Sequence, residues 1–592
     1  KNYISPLRVV SQNMITLAFN FISNNALRDT ISSWVLSKAG YIPFKDFLIG
    51  LKSRITKDKN YREFIENGGG RSSIYANEAS VRRKLDDFYN SKGIVSNLVI
   101  NTPRKFFRAL ETFGDAIESA SRLGEKRLLK KQGKDMTDQI VGAKEITVDF
   151  GTRGAYNTSI GQVLEVLENS FLFLRAAKLG MDRVYRAGFK DKHKKRVQAK
   201  VVGMATASMG LAVINNDNPM YQKLQDWDKD SHWHFFTPTI NGAWGKYFIE
   251  TGEIPNPQTY EEAIGFDPAT GNTDPLYTHI RLPKPWEIGS INTVAERMTL
   301  GLINETLDAK EAWHMTTVLL NNLRFNPNLP IFTPIYENII NKNTFTDRPI
   351  INPYEQQNLE SYLQGSTTAS ETSKATSEYL FKKFGINNST FSAPMIDNYI
   401  KGLLHTFGQY GLLISDKIFF DEAEDLSINQ YPVIGQYVRD PVNKSSESVS
   451  KAFELIADMT KADQSFAHLL RDYALNDDNE LLEMYIEEEG KVYDAGLSKT
   501  GNKIKQEFTE ANSLIKNIKR SNKLSVVQQL AEIVATKGNA DVSEYIQNLK
   551  NLNIYYDIGA LKQHLNNDII IRRDILAEEF VKVIEQIKVE PF

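Results

Sequence analysis

Residues 183–214 read RVYRAGFKDKHKKRVQAK and then VVGMATASMGLAVI. The first part carries Arg183, Arg186, Lys190, Lys192, Lys194, Lys195, Arg196 and Lys200, and the fourteen residues Val201–Ile214 that follow are uncharged and rich in small side chains. The pair reads as a basic run feeding directly into a short apolar helix. Sequence before it reads as helix after helix, and beyond Asn215 the character changes, so the stretch fixes both the helical class and the first boundary of the chain. At 1.5 Å per residue, fourteen residues cover about 21 Å against a bilayer core of roughly 30 Å. Three readings follow. The favoured one is a buried core helix of a large bundle. The second is a helix on or in a membrane, its cations meeting anionic lipid and Gly203, Ala207 and Gly210 allowing close helix approach. The third puts the basic run on DNA, where only Tyr185 and Phe189 interleave and contact would be non-specific.

On the N-terminal side, Met14–Phe21, Ser33–Ala39, Phe44–Leu51 and Val81–Tyr89 read as helical pieces, broken by Gly68-Gly69-Gly70. Phe106, Leu110, Phe113 and Ile117 recur at helical spacing, with Arg104, Arg108 and Arg122 outside that stripe. Ile146–Phe150 is strand-like. On the C-terminal side, residues 215–290 crowd Trp227, Trp233, Phe235, Phe236, Trp244 and Tyr247 among Gly, Pro and Asp, which predicts irregular structure with short strands. Thr368 with Glu371 fits a capping box for a helix that Gly385 closes, and Ser525 with Gln528 fits another. Phe508, Ala511, Ile515 and Ile518 mark one helical seam; Ile571, Ile575, Phe580, Val583 and Ile587 mark a last one. The expected architecture is mainly α: multi-domain helical bundles with a small irregular β-containing insertion. The segments are a helical domain over 1–214, the aromatic, Pro-rich stretch 215–290, a helical and Pro-rich segment 291–428, and a helical bundle 429–592.

Composition narrows the chemistry. The 592 residues exceed one compact core. With 41% hydrophobic and 24% charged residues the chain is ordinary globular material, and a net charge of -2 means that any nucleic-acid contact rests on a local patch. It holds no cysteine, which excludes disulfides, thiolate nucleophiles and iron–sulfur ligation. Lys1 in place of Met points to a processed, truncated or partly ordered chain, and Lys1–Gly50 shows no signal-peptide pattern. His232 and His234, at i and i+2 on a strand, would point to one side and are candidate metal ligands. No third ligand is evident, and two imidazoles hydrogen-bonding within an aromatic cluster is the plainer alternative. Gly68-Gly69-Gly70-Arg71 lacks the Gly-Lys-Ser/Thr end of a P-loop, and neither a Gly-x-Ser-x-Gly elbow nor a His-Glu-x-x-His helix occurs. Glu487-Glu488-Glu489 reads as a solvated helix face. No catalytic residue, cofactor or enzymatic activity is expected.

An ordered series of short motifs then carries a resemblance. It runs through Arg108-Ala-Leu-Glu111-Thr-Phe-Gly-Asp-Ala-Ile-Glu118, Arg122, Glu145–Phe150, Asp217-Asn-Pro219-Met-Tyr221, Trp227-Asp228-Lys-Asp230, Trp233–Phe236, Arg281-Leu-Pro283-Lys-Pro285-Trp286-Glu287, Phe345-Thr-Asp347-Arg-Pro349-Ile350, Ser370-Glu371-Thr372 and Pro394-x-x-Asp397-x-x-Ile400. Over roughly Leu7 to Leu413 the chain resembles the phage-borne large polyvalent protein-associated domains, specifically the helical one numbered thirty-eight. Thr237–His279 looks like an insertion within it. The resemblance implies an internal virion protein, packaged in the capsid and delivered with the genome, that helps form a multimeric DNA-translocation channel across the host envelope. The implied partners are further copies of itself, other virion proteins near the portal, DNA contacted non-specifically and the host membrane. The implied places are the virion interior and then the periplasm and inner membrane. The alternatives are a module of a larger virion enzyme (peptidoglycan lyase, nuclease or polymerase) and a static portal or head component.

Overall fold

The structure is a computed structural model. It describes residues 19–69, 101–147, 174–239, 257–267, 269–321, 333–344, 348–351, 353–364, 369–420, 433–439, 497–521 and 523–589, with short further stretches between 245 and 252 and between 431 and 456. Among the described residues the protein is mainly helical, with a three-stranded antiparallel sheet and a two-stranded ribbon of Lys342–Asn343 with Arg348–Pro349.

The N-terminal bundle is built on contact between backbones. Helices α1 (Phe19–Leu36), α2 (Lys45–Thr56) and α3 (Lys59–Glu66) surround the 31-residue α4 (Asn101–Lys131), and α5 (Met136–Glu145) closes it. Two glycines let α2 cross α4: a Cβ on Gly50 would lie 1.9 Å from the Ala120 carbonyl oxygen, and one on Gly124 would lie 2.5 Å from that of Asp46. Ile22, Tyr41, Phe47, Ile117 and Ile146 form the apolar centre. The charges of α4 also point inward. Arg122 is buried, pairing with Glu118 at 3.1 Å and donating to the Thr147 hydroxyl at 2.7 Å. Lys126 reaches Glu63 at 2.9 Å. The expected stripe is therefore corrected at two places, since Phe113 faces solvent and Arg122 does not. Ile146 caps the end of α5 in helical conformation, so the strand expected there does not begin at it; residues 148–150 lie outside the described residues.

After α6 (Leu174–Tyr185) and one π-turn (Arg186–Lys190), α7 (Lys194–Asn216) leads to the short α8 (Asp226–Ser231) and strand β1 (His232–Pro238). Helix α9 (Tyr260–Ile264) precedes strand β2 (Tyr277–Pro283). The strands pair antiparallel with His232 opposite Pro283, His234 opposite Arg281 and Phe236 opposite His279. The supposed insertion Thr237–His279 is thus the connection of this hairpin together with parts of both strands. Strand β2 continues into α10 (Trp286–Ile303), which is followed by α11 (Ala309–Asn321).

Helix α12 (Glu371–Phe384) is capped by Ser370, whose side chain accepts from the Ser373 amide, and closed by Gly385 in the left-handed region. The closing glycine is where the sequence places it. The cap falls on Ser370 and not on Thr368, which lies outside the described residues. Asp416 accepts from the Glu371 and Thr372 amides at 3.1 and 2.8 Å, a carboxylate at the positive end of α12. Asp416 belongs to α13 (Ala393–Phe419), which is broken at His405, where φ is 50° and ψ is -131°. An L-residue is strained there and glycine is not. His405→Gly is expected to raise stability by about 1–2 kcal/mol. Were α13 continuous, the same change would cost roughly 1 kcal/mol, so the sign of the shift in a urea melt decides. The short β3 (Val438–Arg439) pairs with β2 and makes the sheet three-stranded.

The largest core joins distant parts of the chain. Met220, Tyr260, Ile264, Phe266 and Tyr277 pack with Ile515 and Ile518 of α14 (Leu497–Arg520), Val527 and Val534 of α15 (Leu524–Lys537), Tyr545 and Leu549 of α16 (Val542–Asn551), and Leu561 to Ile571 of α17 (Ile558–Val589). Phe508, Ile515 and Ile518 are buried, as the seam requires. Of the seam expected on α17, Ile571 and Phe580 are buried and Val583 faces out. The cap of α15 is Lys523 without a side-chain bond; Ser525 lies inside the helix and Gln528 donates to the Tyr555 carbonyl.

Candidate functional site

Helix α7 is continuous through the end of the basic run. Its 23 residues give a length of about 34 Å; the 14-residue helix expected from the sequence is extended by the seven residues Lys194–Lys200, which their charges conceal, and by Asn215 and Asn216. Among the described residues it is the one helix long and apolar enough to cross a membrane, and only 28% of its apolar window is buried. Helical phase explains the exposure. Val197, Met204, Ser208, Ala212 and Asn215 form one inward stripe against α1 and α10. The opposite face carries Val202, 63% exposed, and Ile214, 77% exposed. Gly203 and Gly210 have open space where a Cβ would be, and Ala207 is exposed beside them. Among the described residues these three small residues therefore form no helix contact; Met204, Ser208 and Ala212 do.

The inward stripe is fixed by directed hydrogen bonds. Trp233 Nε1 donates to Ser208 Oγ at 2.7 Å, and Asn215 Nδ2 donates to the His234 carbonyl at 2.8 Å. Lys200 donates to the Trp34 carbonyl. At the far end, Asn216 and Asn304 exchange amide hydrogen bonds at 3.3 and 2.9 Å, tying α7 to the end of α10.

The eight cations do not form one patch. Arg183 is buried and Lys200 turns inward. Arg186 pairs with Asp182 at 2.8 Å and Glu145 at 3.4 Å, and Lys190 lies 5.2 Å over the Tyr185 ring. Lys192, Lys194, Lys195 and Arg196 are exposed. Tyr185 and Phe189, both exposed, sit 5.5 Å apart beside them. The turn at the start of α7 thus presents cations around an aromatic pair.

Beneath α7 lies a buried cluster on one face of the β1–β2 hairpin. Asp228 accepts from Arg281 at 2.5 Å and pairs with His232 Nδ1 at 2.9 Å. Burial alone would raise the Asp228 carboxyl, but the His232 bond and the Arg281 charge outweigh it and hold the group below the usual carboxylate range. His234 Nε2 lies 3.1 Å from the Asp228 carbonyl, and His234 Nδ1 lies 2.9 Å from His279 Nε2. Because a carbonyl only accepts, Nε2 of His234 carries the proton. In the neutral ring Nδ1 then accepts from His279 Nε2–H. Burial depresses all three imidazoles, His279 to about 3. Phe236 stacks on His279 at 4.6 Å.

His232 therefore spends Nδ1 on Asp228 and Ser231, and His234 spends both nitrogens, on the Asp228 carbonyl and His279. Among the described residues no group of three or more His, Asp or Glu side chains is placed to hold a metal. The hydrogen-bonded imidazole pair is the reading that fits, and the partner missing from the sequence reading is His279, 45 residues on. Its signal is the strand Tyr277–Pro283, which brings His279 and Arg281 to the face of His232 and His234 once the register is known. A second cluster secures α10: Arg297 reaches Asp230 at 2.6 Å, Asp226 at 3.0 Å and Glu311 at 3.0 Å, and Lys284 reaches Glu296 at 2.5 Å.

No curated protein and no solved structure matches the chain. A family does, over part of it. The match begins after α7, takes in the hairpin, both ion clusters, α12 and α13, and leaves out the motifs at 108–150 that the sequence resemblance included. Residues 218–434 match the family described as large polyvalent protein associated domain 38, which points to a phage-associated protein.

Proposed function

We propose that the protein is an internal virion protein of a bacteriophage, delivered with the genome, that contributes to a multimeric conduit across the host envelope and engages the membrane through α7. The family match supports the phage association. The observation that carries the membrane role is α7 itself, a 23-residue helix whose 18-residue apolar window lies mostly outside the core. A window of 18 residues, about 27 Å long, approaches a hydrocarbon layer of roughly 30 Å. Exposed cations and aromatic rings at its start suit the headgroup region, where both side-chain types are favoured. On this reading the chain acts by assembly and membrane engagement, with no bond made or broken.

Because Gly203 and Gly210 meet nothing within 4 Å among the described residues, aspartate there is expected to leave the fold intact. Buried in lipid, each aspartate costs about 2.5–3.5 kcal/mol. The double variant G203D/G210D is expected to lose vesicle flotation by about 100-fold or more with its melting temperature unchanged. Flotation equal to wild type would overturn the membrane role.

A further inference from the structure

We propose that the His234–His279 pair is an acid-sensitive latch: neutral, it keeps β1 in place to hold α7, and when protonated it lets the hairpin open and frees α7. The proposal deepens the membrane reading, on which it rests only for what the freed helix does next.

Two of the hydrogen bonds that fix the inward stripe of α7 end on consecutive residues of β1, the Trp233 indole and the His234 carbonyl. β1 thus supplies two of the directed bonds that hold α7, beside those from Trp34 and Asn304. The His234 ring, in turn, is tied at both nitrogens, to the Asp228 carbonyl and to His279. The two bonds use two protons, one on His234 Nε2 and one on His279 Nε2, and leave His234 Nδ1 bare as the acceptor. A second proton on His234 would set N–H against N–H at 2.9 Å. A second proton on His279 would bury a cation beside Arg281 and beside Arg439 of β3. Every surrounding element opposes a positive charge or is already committed. The Asp228 carboxylate from α8 is taken by Arg281 and His232. On β1, His232 is itself titratable and lies near Arg28 of α1. Tyr221 meets His234 edge-on, and Phe236 covers His279.

The sign follows from the shifts. Both imidazoles have folded pKa values below the ordinary 6.5. The open form therefore binds more protons once the pH falls under about 6.5, and the latch weakens from there down toward the folded values near 3 for His279. Each imidazole contributes up to about tenfold in the opening constant per pH unit.

The test is amide hydrogen exchange of the full chain between pH 7.5 and 5, corrected for intrinsic rates. Opening of residues 197–216 is expected to rise by roughly 100-fold or more across that range in wild type. H279Q keeps a donor to His234 Nδ1 but cannot charge; with His234 alone left to titrate, the rise should be held to about 30-fold or less. A flat wild-type profile overturns the latch, and so does an H279Q profile equal to wild type. Should H279Q not fold, the wild-type profile decides by its extent. Loss of protection confined to 197–216 and 232–283 supports the latch, and simultaneous loss along the whole chain overturns it. Flotation at pH 5 separates the two claims: pH-dependent release without vesicle binding leaves the latch standing and removes the membrane role.

Discussion

Alanine at Gly50 is expected to open the N-terminal bundle, at a cost of about 3 kcal/mol or more. The added methyl would stand 1.9 Å from the Ala120 carbonyl oxygen and 2.8 Å from the Gly124 nitrogen. Both obstacles are backbone within α4, so no rotamer change removes them and α2 has to move away. Separation of the two helices also uncovers Phe47, which is buried between them. Amide exchange across Lys45–Thr56 should accelerate by about 100-fold or more, the equivalent of that free energy. Gly203→Ala is the matched control. It adds the same methyl to an exposed helix position with nothing within 4 Å, where alanine is favoured over glycine by about 1 kcal/mol. If Gly50→Ala behaves like Gly203→Ala, α2 and α4 do not cross at backbone contact.

Removing the carboxylate of Asp228 is the second large effect. Asp228→Ala leaves the Arg281 guanidinium and the His232 imidazole facing an apolar gap, although Arg281 still donates to the Gln436 carbonyl at 2.8 Å. Breaking one side of a buried ion pair costs about 3–5 kcal/mol, because the remaining charge stays desolvated. The loss should be full at pH 7.5, since the Asp228 carboxyl sits below the usual range and is ionised there. A thermal melt reports it. A change under about 1 kcal/mol would mean that the cluster does not organise the hairpin.

What could be read from the sequence follows the range of the forces involved. Helical class is legible because apolar periodicity is local, and so is the closing glycine of α12. The seam Phe508–Ile518 is likewise buried as its spacing demands. Phe113 and Val583 mislead because each sits at the edge of a stripe whose centre is set by the partner helix. Arg122 misleads for another reason: its charge is satisfied by Glu118 and Thr147, and the second of these lies outside α4. The length of α7 is hidden by Lys194–Lys200, which look like a separate charged segment while continuing the same helix. His279 and Arg281 cannot be assigned to His234 without the strand register. The backbone crossing at Gly50 leaves no pattern in sequence at all.

The core shared by 260–277 and 515–571 has a consequence for how the chain acquires its shape. The hairpin segment cannot bury Tyr260, Ile264 or Tyr277 with its own neighbours. Whenever the polypeptide becomes available gradually, at a ribosome or through a narrow passage, the α1–α5 bundle can settle early, from contacts among nearby residues. The sheet region has to wait for its distant cover, and contacts of such separation form slowly. The sheet region therefore depends on the C-terminal helices for the cover of its apolar face.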